Sequence, residues 1–188
     1  MEQKTTGKVK LSDGIINQNM VLMSGLFAGP VIGAATNLKN SLVIAMAFTL
    51  ITVISVGLCR LLPKKIAFAV RIGLYALIAS AVYIPVTLLM GLIFGEDTVR
   101  SISLYLAIIV TNPFIMTKTE SRFFLRPVHM MFKDLAGFAI GFDLSCILVG
   151  AIRDILSDNM LWNTIIPLPF QMSAMENVYG GFILVGVL

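Results

Sequence analysis

The sequence predicts an all-α, polytopic membrane protein: six transmembrane helices arranged as a 3+3 inverted repeat, with helices one and four broken. Three observations lead there. Only 13% of the 188 residues are charged and the mean hydropathy is +0.92, whereas a soluble domain carries about 25% charge. The apolar residues come in blocks that approach the ~20 residues a helix needs to cross a bilayer. The first and fourth blocks are interrupted by glycine and proline, and such interruptions at corresponding places in two halves mark discontinuous helices around a functional centre.

The elements follow in order, as one membrane domain over residues 1–188. Residues 1–19 are polar and mixed in charge, with no cleavage pattern, and read as a cytoplasmic N-terminal segment. Span one covers about 20–38 and contains "SGLFAGPVIGAATN", with Gly25, Gly29, Gly33 and Pro30. Span two covers about 41–60, and span three about 72–94 with Pro85 inside it. Span four, about 101–117, runs into "IIVTNPFIMTKTE", where Asn112 and Pro113 interrupt the apolar run and Lys118 and Glu120 follow. Span five, about 135–152, is apolar except for Asp143. The last span, about 175–188, has only 12 residues, all uncharged, from Asn177 onward, too few for a hydrocarbon core of about 30 Å, and is read as incomplete.

Charge placement orients the spans. With the N-terminus in the cytoplasm, the inner segments carry Lys4, Lys8, Lys10, Arg60, Lys64, Lys65, Arg71, Lys118, Arg122, Arg126 and Lys133. The outer segments carry only Lys39, Arg100 and Arg153. Lys and Arg concentrate on the cytoplasmic side of membrane proteins, so the chain is placed in the inner (cytoplasmic) membrane as a multi-pass protein. The net charge of +4 reflects this asymmetry and no nucleic-acid partner. The outer loop from Arg153 to Met175 holds Trp162, Pro167, Pro169 and Phe170, which suits an aromatic element at the membrane interface.

A shift of 83 residues superposes Pro30 on Pro113 and Asn37 on Glu120. Each interrupted segment opens a half of three spans, so the halves run in opposite directions. Small residues recur at four-residue spacing at Gly25, Gly29 and Gly33 and again at Gly137, Gly141 and Ser145. Such faces let backbones approach closely and predict packing between spans one and five, with a contact to another subunit as the alternative.

Few residues carry chemistry. Cys59 and Cys146 lie in separate apolar segments and read as small buried hydrophobes. His129, the only histidine, falls in a basic loop. No nucleophile, phosphate loop or metal motif stands out, so no catalysis is expected from this chain alone. Asp143, near the middle of span five, is the exception. A charge there costs at least about 2.5–3.5 kcal/mol on insertion scales and by default marks an ion path; the alternative is a protonated or hydrogen-bonded carboxyl buttressing a broken helix. Asn112, Lys118 and Glu120 join it as candidate ion-path or polar-core residues, and Gly29, Pro30, Asn112 and Pro113 as the broken-helix elements. Lys118 and Glu120 belong near the inner mouth.

"GAIRDIL" (150–156) following "DLAGFAIGF" (134–142), "RIGLYALIASAV" (71–82), "LAIIVTN" (106–112) and "GGFILVG" (180–186) resemble the membrane subunits of the Rnf and Na⁺-Nqr electron-transport complexes, of the Rnf E/Nqr D type. The resemblance covers essentially the whole chain. It implies two homologous six-span subunits packed in opposite orientations, each with broken helices one and four, and each giving two cysteines to a [2Fe-2S] cluster near the midplane. Electron flow past that cluster is coupled to Na⁺ or H⁺ movement. The family's fourth-span motif is Asn-Cys followed by a basic residue and Glu; here Asn112 is followed by Pro113, while Lys118 and Glu120 keep the pattern. The first-span motif is Gly-Leu-Cys-Pro; here "GLFAGP" has Phe27 at the cysteine position. This chain is therefore expected to ligate no cluster itself, and Asp143 and Glu176 stand where the family is uncharged.

Three functions follow: a divergent subunit supporting electron transfer or ion coupling beside an inverted homologous partner and other Rnf/Nqr-like subunits; a small-molecule or ion transporter that reuses the fold; and a purely structural subunit.

Overall fold

The computed structural model describes Asn19, Val21 and residues 28–187 apart from 64, 163 and 168. Phe27 and Gly25 lie outside the described residues, as does nearly all of the N-terminal segment. The described chain is mostly helical: α1 (Ala28–Ala34), α2 (Leu38–Cys59), α3 (Phe68–Phe94), α4 (Glu96–Ser101), α5 (Ser103–Ile109), a π-helix (Phe114–Phe123), α6 (Val128–Asp158) and α7 (Val178–Val187). Between α6 and α7 come a hairpin of β1 (Met160–Leu161) and β2 (Thr164–Ile165) and a 3₁₀ turn (Ser173–Glu176). Among the described residues, α2, α3 and α6 are long and apolar enough to cross a membrane.

The centre of the fold is the antiparallel pair α2 and α6. Lipid gives helices no hydrophobic reason to associate, so close packing and hydrogen bonds must hold them. Gly150 supplies the close approach: a Cβ there would lie 1.7 Å from Ser41 Oγ and 2.9 Å from the Asn37 carbonyl oxygen. Phe48 of α2 stacks on Phe142 of α6 at 3.9 Å. Phe114 of the π-helix meets Phe48 edge-on at 5.8 Å and Phe138 at 5.2 Å, closing an aromatic core between three elements. α3 packs on α2 and continues through Pro85. Its outer stripe of Leu77, Ile84, Leu88 and Leu92 is exposed.

Three placements differ from the hydropathy pattern. α6 begins at Val128 and ends at Asp158, so Arg153 lies within the helix, fully buried, and not on an outer loop. Its charge ended the apolar run in the sequence, but carbonyl oxygens solvate it in the fold. Asn19, the last residue before the predicted first span, is already buried, and its carboxamide donates to the Gly141 carbonyl (3.0 Å) and Ser145 Oγ (2.9 Å) in mid-α6. Gly33 lies against the Tyr105 ring of α5, where a Cβ would meet it at 2.2 Å; the Gly141–Ser145 face of α6 receives Asn19.

Candidate functional site

The Asn112-Pro113 pair, expected from the sequence to interrupt span four, starts a helix. Asn112 Oδ1 accepts the Ile115 N–H at 3.1 Å, the geometry of an N-cap. Pro113 then occupies the first helical position, where its fixed φ suits the helix and its missing N–H leaves nothing unsatisfied. Asn112 is fully buried, and its Nδ2 donates to Ile109 O and to Thr52 Oγ1 of α2, both at 2.9 Å. One side chain thus closes α5, opens the next helix and ties the junction to α2. The helix it opens is π-wound, with the Phe124 N–H donating to Thr119 O (2.9 Å) five residues back, and the Thr119 hydroxyl donates to Phe114 O (2.8 Å) over the same separation. π-turns are uncommon and concentrate at functional places. Asn37 makes the same kind of start for α2, accepting the Asn40 N–H at 2.8 Å. Gly29 and Pro30 lie within α1.

Asp143 projects from α6 onto the same stripe of α2. Thr49 Oγ1 donates to Asp143 Oδ2 at 2.6 Å, and Asp143 Oδ1 is buried with no hydrogen-bond partner among the described residues. Thr49 and Thr52 are three residues apart and therefore neighbours on one helix face. Two of the sequence candidates, Asp143 and Asn112, are in this way held by adjacent hydroxyls of α2.

Lys118 and Glu120 are held elsewhere. Glu120 pairs with Arg71 of α3 (3.1 Å) and accepts the Tyr75 hydroxyl. Lys118 Nζ lies 5.3 Å from the centre of the Phe138 ring. Beside it, Asp134 takes a two-pronged bond from Arg122, Nε to Oδ2 at 2.6 Å and Nη2 to Oδ1 at 2.8 Å, with Arg126 at 3.5 Å. Bidentate Arg–carboxylate pairing is strong and geometrically specific. This ionic layer ties the π-helix to the starts of α3 and α6.

At the other end of α6, Arg153 spends each of its five N–H donors on a backbone carbonyl. Nη1 donates to Ile32 O and to Ala35 O (3.1 Å), Nε to Met175 O (2.9 Å), and Nη2 to Glu176 O (3.1 Å) and Asn177 O (3.3 Å). Ile32 and Ala35 lie at the C-terminus of α1, where carbonyls lack helical partners and the helix dipole favours a cation. The neighbouring Asp154 does the reverse at the N-terminus of α2, accepting the Leu38 N–H at 3.4 Å as well as the Trp162 N–H at 3.2 Å. Sequence reasoning missed the roles of Thr49, Thr52 and Arg153. The signal for Arg153 was present: "RD" stands inside an apolar run that resumes with Ile155 and Leu156.

A family model described as "Rnf-Nqr subunit, membrane protein" matches residues 8–188. The chain belongs to the Rnf-Nqr membrane-subunit family. Among Rnf-Nqr relatives it is 26% identical to the D subunit of the Na(+)-translocating NADH-quinone reductase of Pseudoalteromonas translucida, over 86% of this chain and 77% of that protein. It is 24% identical to the E subunit of the ion-translocating oxidoreductase complex of Haemophilus ducreyi, over 87% of this chain and 71% of the relative. The corresponding E subunit of Pasteurella multocida is 28% identical over 81% of this chain and 67% of its own length. The "RD" that Arg153 and Asp154 contribute thus falls within the matched region.

The iron–sulfur ligation expected of such a family member can be tested against these residues. Fe–S clusters are held by thiolates, and Pro113 offers no donor atom. Among the described residues no group of three or more His, Cys, Asp or Glu is placed to hold a metal. Cys146 donates to the Ser41 carbonyl at 3.7 Å. Cys59 lies eighteen residues further along α2, a rise of about 27 Å. The two thiols cannot share one cluster.

Proposed function

We propose that this chain is a membrane subunit of an Rnf/Nqr-like ion-translocating electron-transport complex, and that it supports electron transfer or ion coupling without ligating the cluster itself. The family match across residues 8–188 carries the reading, with relatives named as the D and E subunits of ion-translocating oxidoreductases. Its partners are an inverted homologous six-helix subunit and the other subunits of such a complex, in the cytoplasmic membrane. The end of α5 at Ile109 and the asparagine caps that follow α1 and α5 (Asn37, Asn112) support the 3+3 inverted repeat with interrupted spans one and four. The crowding of Arg60, Arg71, Arg122, Arg126 and Lys133 where α2 ends and α3 and α6 begin supports a cytoplasmic N-terminus.

Within that complex Asp143 is the ion-path residue, beside the Asn112–Thr52 junction, with Lys118 and Glu120 in the inner ionic layer. The Thr49–Asp143 bond supports this role. It equally favours a second reading, a transporter that reuses the fold. The test is redox-driven ion uptake by the complex in proteoliposomes. Asp143→Asn lowers ions moved per electron while electron transfer continues. Unchanged coupling leaves Asp143 a structural role, and ion movement that needs no electron donor favours the transporter. Iron analysis and electron paramagnetic resonance of the isolated chain show no bound cluster; a stoichiometric cluster on this chain would sink that part of the proposal.

A further inference from the structure

The seventeen residues from Asn159 to Met175 carry no charge, although they connect two helices and would ordinarily be a solvated loop. They are not free to project outward. The Ile166 N–H donates to Asn159 O and the Met172 N–H to Leu156 O, both at 2.8 Å, while the Gln171 carboxamide donates to Ser157 O. The Trp162 N–H is held by Asp154. The segment is folded back across the end of α6.

Its exposed large side chains are apolar, beside the smaller uncharged Thr164, Gln171 and Ser173. Met160 stands opposite Ile165 in the antiparallel hairpin, so the two side chains leave on one face, and both are exposed, as are Trp162, Phe170 and Met172. Trp162 sits at the hairpin turn with φ 62°, a left-handed conformation that glycine or asparagine adopts with far less strain. Strain kept in place by surrounding contacts points to a use for the strained residue, and here the residue is a large amphipathic ring.

The level of the hairpin identifies what it meets. α6 has 31 residues and is about 46 Å long, against a hydrocarbon core of about 30 Å. Its far end therefore reaches the headgroup zone, where tryptophan concentrates. Tyr179, Phe182 and Ile183 of α7 and Leu148 of α6 are also exposed apolar side chains, on helices apolar enough to face lipid. The segment itself carries no charge; the charged groups beside it, Lys39, Asp154 and Asp158, line a polar pocket bordered by Met160 and Trp162, the mixed polar and apolar setting that suits an interfacial tryptophan.

We propose that the 159–172 hairpin is a lipid-interface anchor: Met160, Trp162, Ile165 and Phe170 insert between headgroups and upper acyl chains and fix the depth of α6, with Asp154 holding the turn that aims Trp162. Because Trp162 is the only tryptophan, fluorescence of the full chain reconstituted in phosphatidylcholine/phosphatidylglycerol vesicles reads this residue alone. Lipids brominated near the headgroup end of the chain quench most of its emission, lipids brominated near the chain terminus quench less, and aqueous iodide quenches little. Quenching by iodide as efficient as for free tryptophan, with no response to brominated lipid, overturns the proposal. A second measurement guards against a neighbouring protein that covers the hairpin. In the chain purified with whatever subunits it retains, a nitroxide on Ile165→Cys is relaxed more by oxygen than by a water-soluble nickel chelate if lipid lies against it. Low accessibility to both relaxants means that protein covers the hairpin and likewise overturns the proposal.

Discussion

Replacing Arg153 with lysine keeps the buried charge and removes the fork. Arginine presents five donors in a fixed plane, while lysine presents three on a point charge. All five guanidinium N–H groups face backbone carbonyls, two at the end of α1 and three around the start of α7. Lysine leaves at least two of these carbonyls without a donor, and a buried acceptor left unsatisfied costs about 1–3 kcal/mol. The expected loss is therefore about 2–6 kcal/mol, with the lower part applying if water reaches the Met175–Asn177 carbonyls. Arg153→Met removes the charge as well and leaves every carbonyl unserved, but it also ends the burial of an ion, whose desolvation costs several kcal/mol. Methionine is thus expected to cost no more than about twice what lysine does, although it removes five bonds in place of two. The assay is reversible unfolding of the purified chain in mixed micelles, with proteolysis between α1 and α2 as a local readout. Lysine and methionine variants as stable as the parent would refute the five-carbonyl assignment, because no other cation among the described residues replaces it there.

Three further substitutions probe the rest of the framework. Gly150→Ala places a methyl on Ser41 and the Asn37 carbonyl and should destabilise the α2–α6 pair by about 1–3 kcal/mol in the same unfolding assay, with partial rescue by Ser41→Gly. Asn112→Ala removes the cap of the π-helix, worth about 1 kcal/mol, and orphans Thr52; a double-mutant cycle with Thr52→Val should return a nonzero coupling, and strict additivity would disprove the contact. Asp134→Asn should cost up to about 3 kcal/mol, less than a fully dry pair, because Arg122 and Arg126 keep side-chain exposures of 21% and 17%; high salt should narrow the difference from the parent only slightly, since Asp134 itself is buried.

Hydropathy located the long helices because their apolar runs are uninterrupted; it lost their ends wherever a charge was solvated by the protein. Asp134 belongs to α6 because Arg122 and Arg126 neutralise it, and Arg153 and Asp154 belong to it because two helix termini of opposite polarity meet them. No window average can register such partners, which are supplied by residues up to 121 positions away. Asn112-Pro113 was legible as an interruption, and its asparagine and proline are the residue types of a helix start. That the following turns are π-wound had no cue in residue type, since the Thr119–Phe114 bond exists only once the backbone is so wound. Asp143 stood out by cost alone. Its partner Thr49 did not, because a threonine in an apolar span usually bonds its own backbone. The packing of glycines was half legible: a small-residue stripe announces a close approach without naming the neighbour, and Gly33 found Tyr105 where a helix backbone was expected.

The most direct test of the central reading is to purify the chain from membranes of the cell that makes it, in mild detergent, and identify by mass spectrometry what accompanies it in stoichiometric amount. The expected result is a second homologous multi-span subunit together with flavin- and iron–sulfur-bearing oxidoreductase subunits. Recovery of the chain alone, or with an ATPase or a solute-binding protein and no redox subunit, would contradict it.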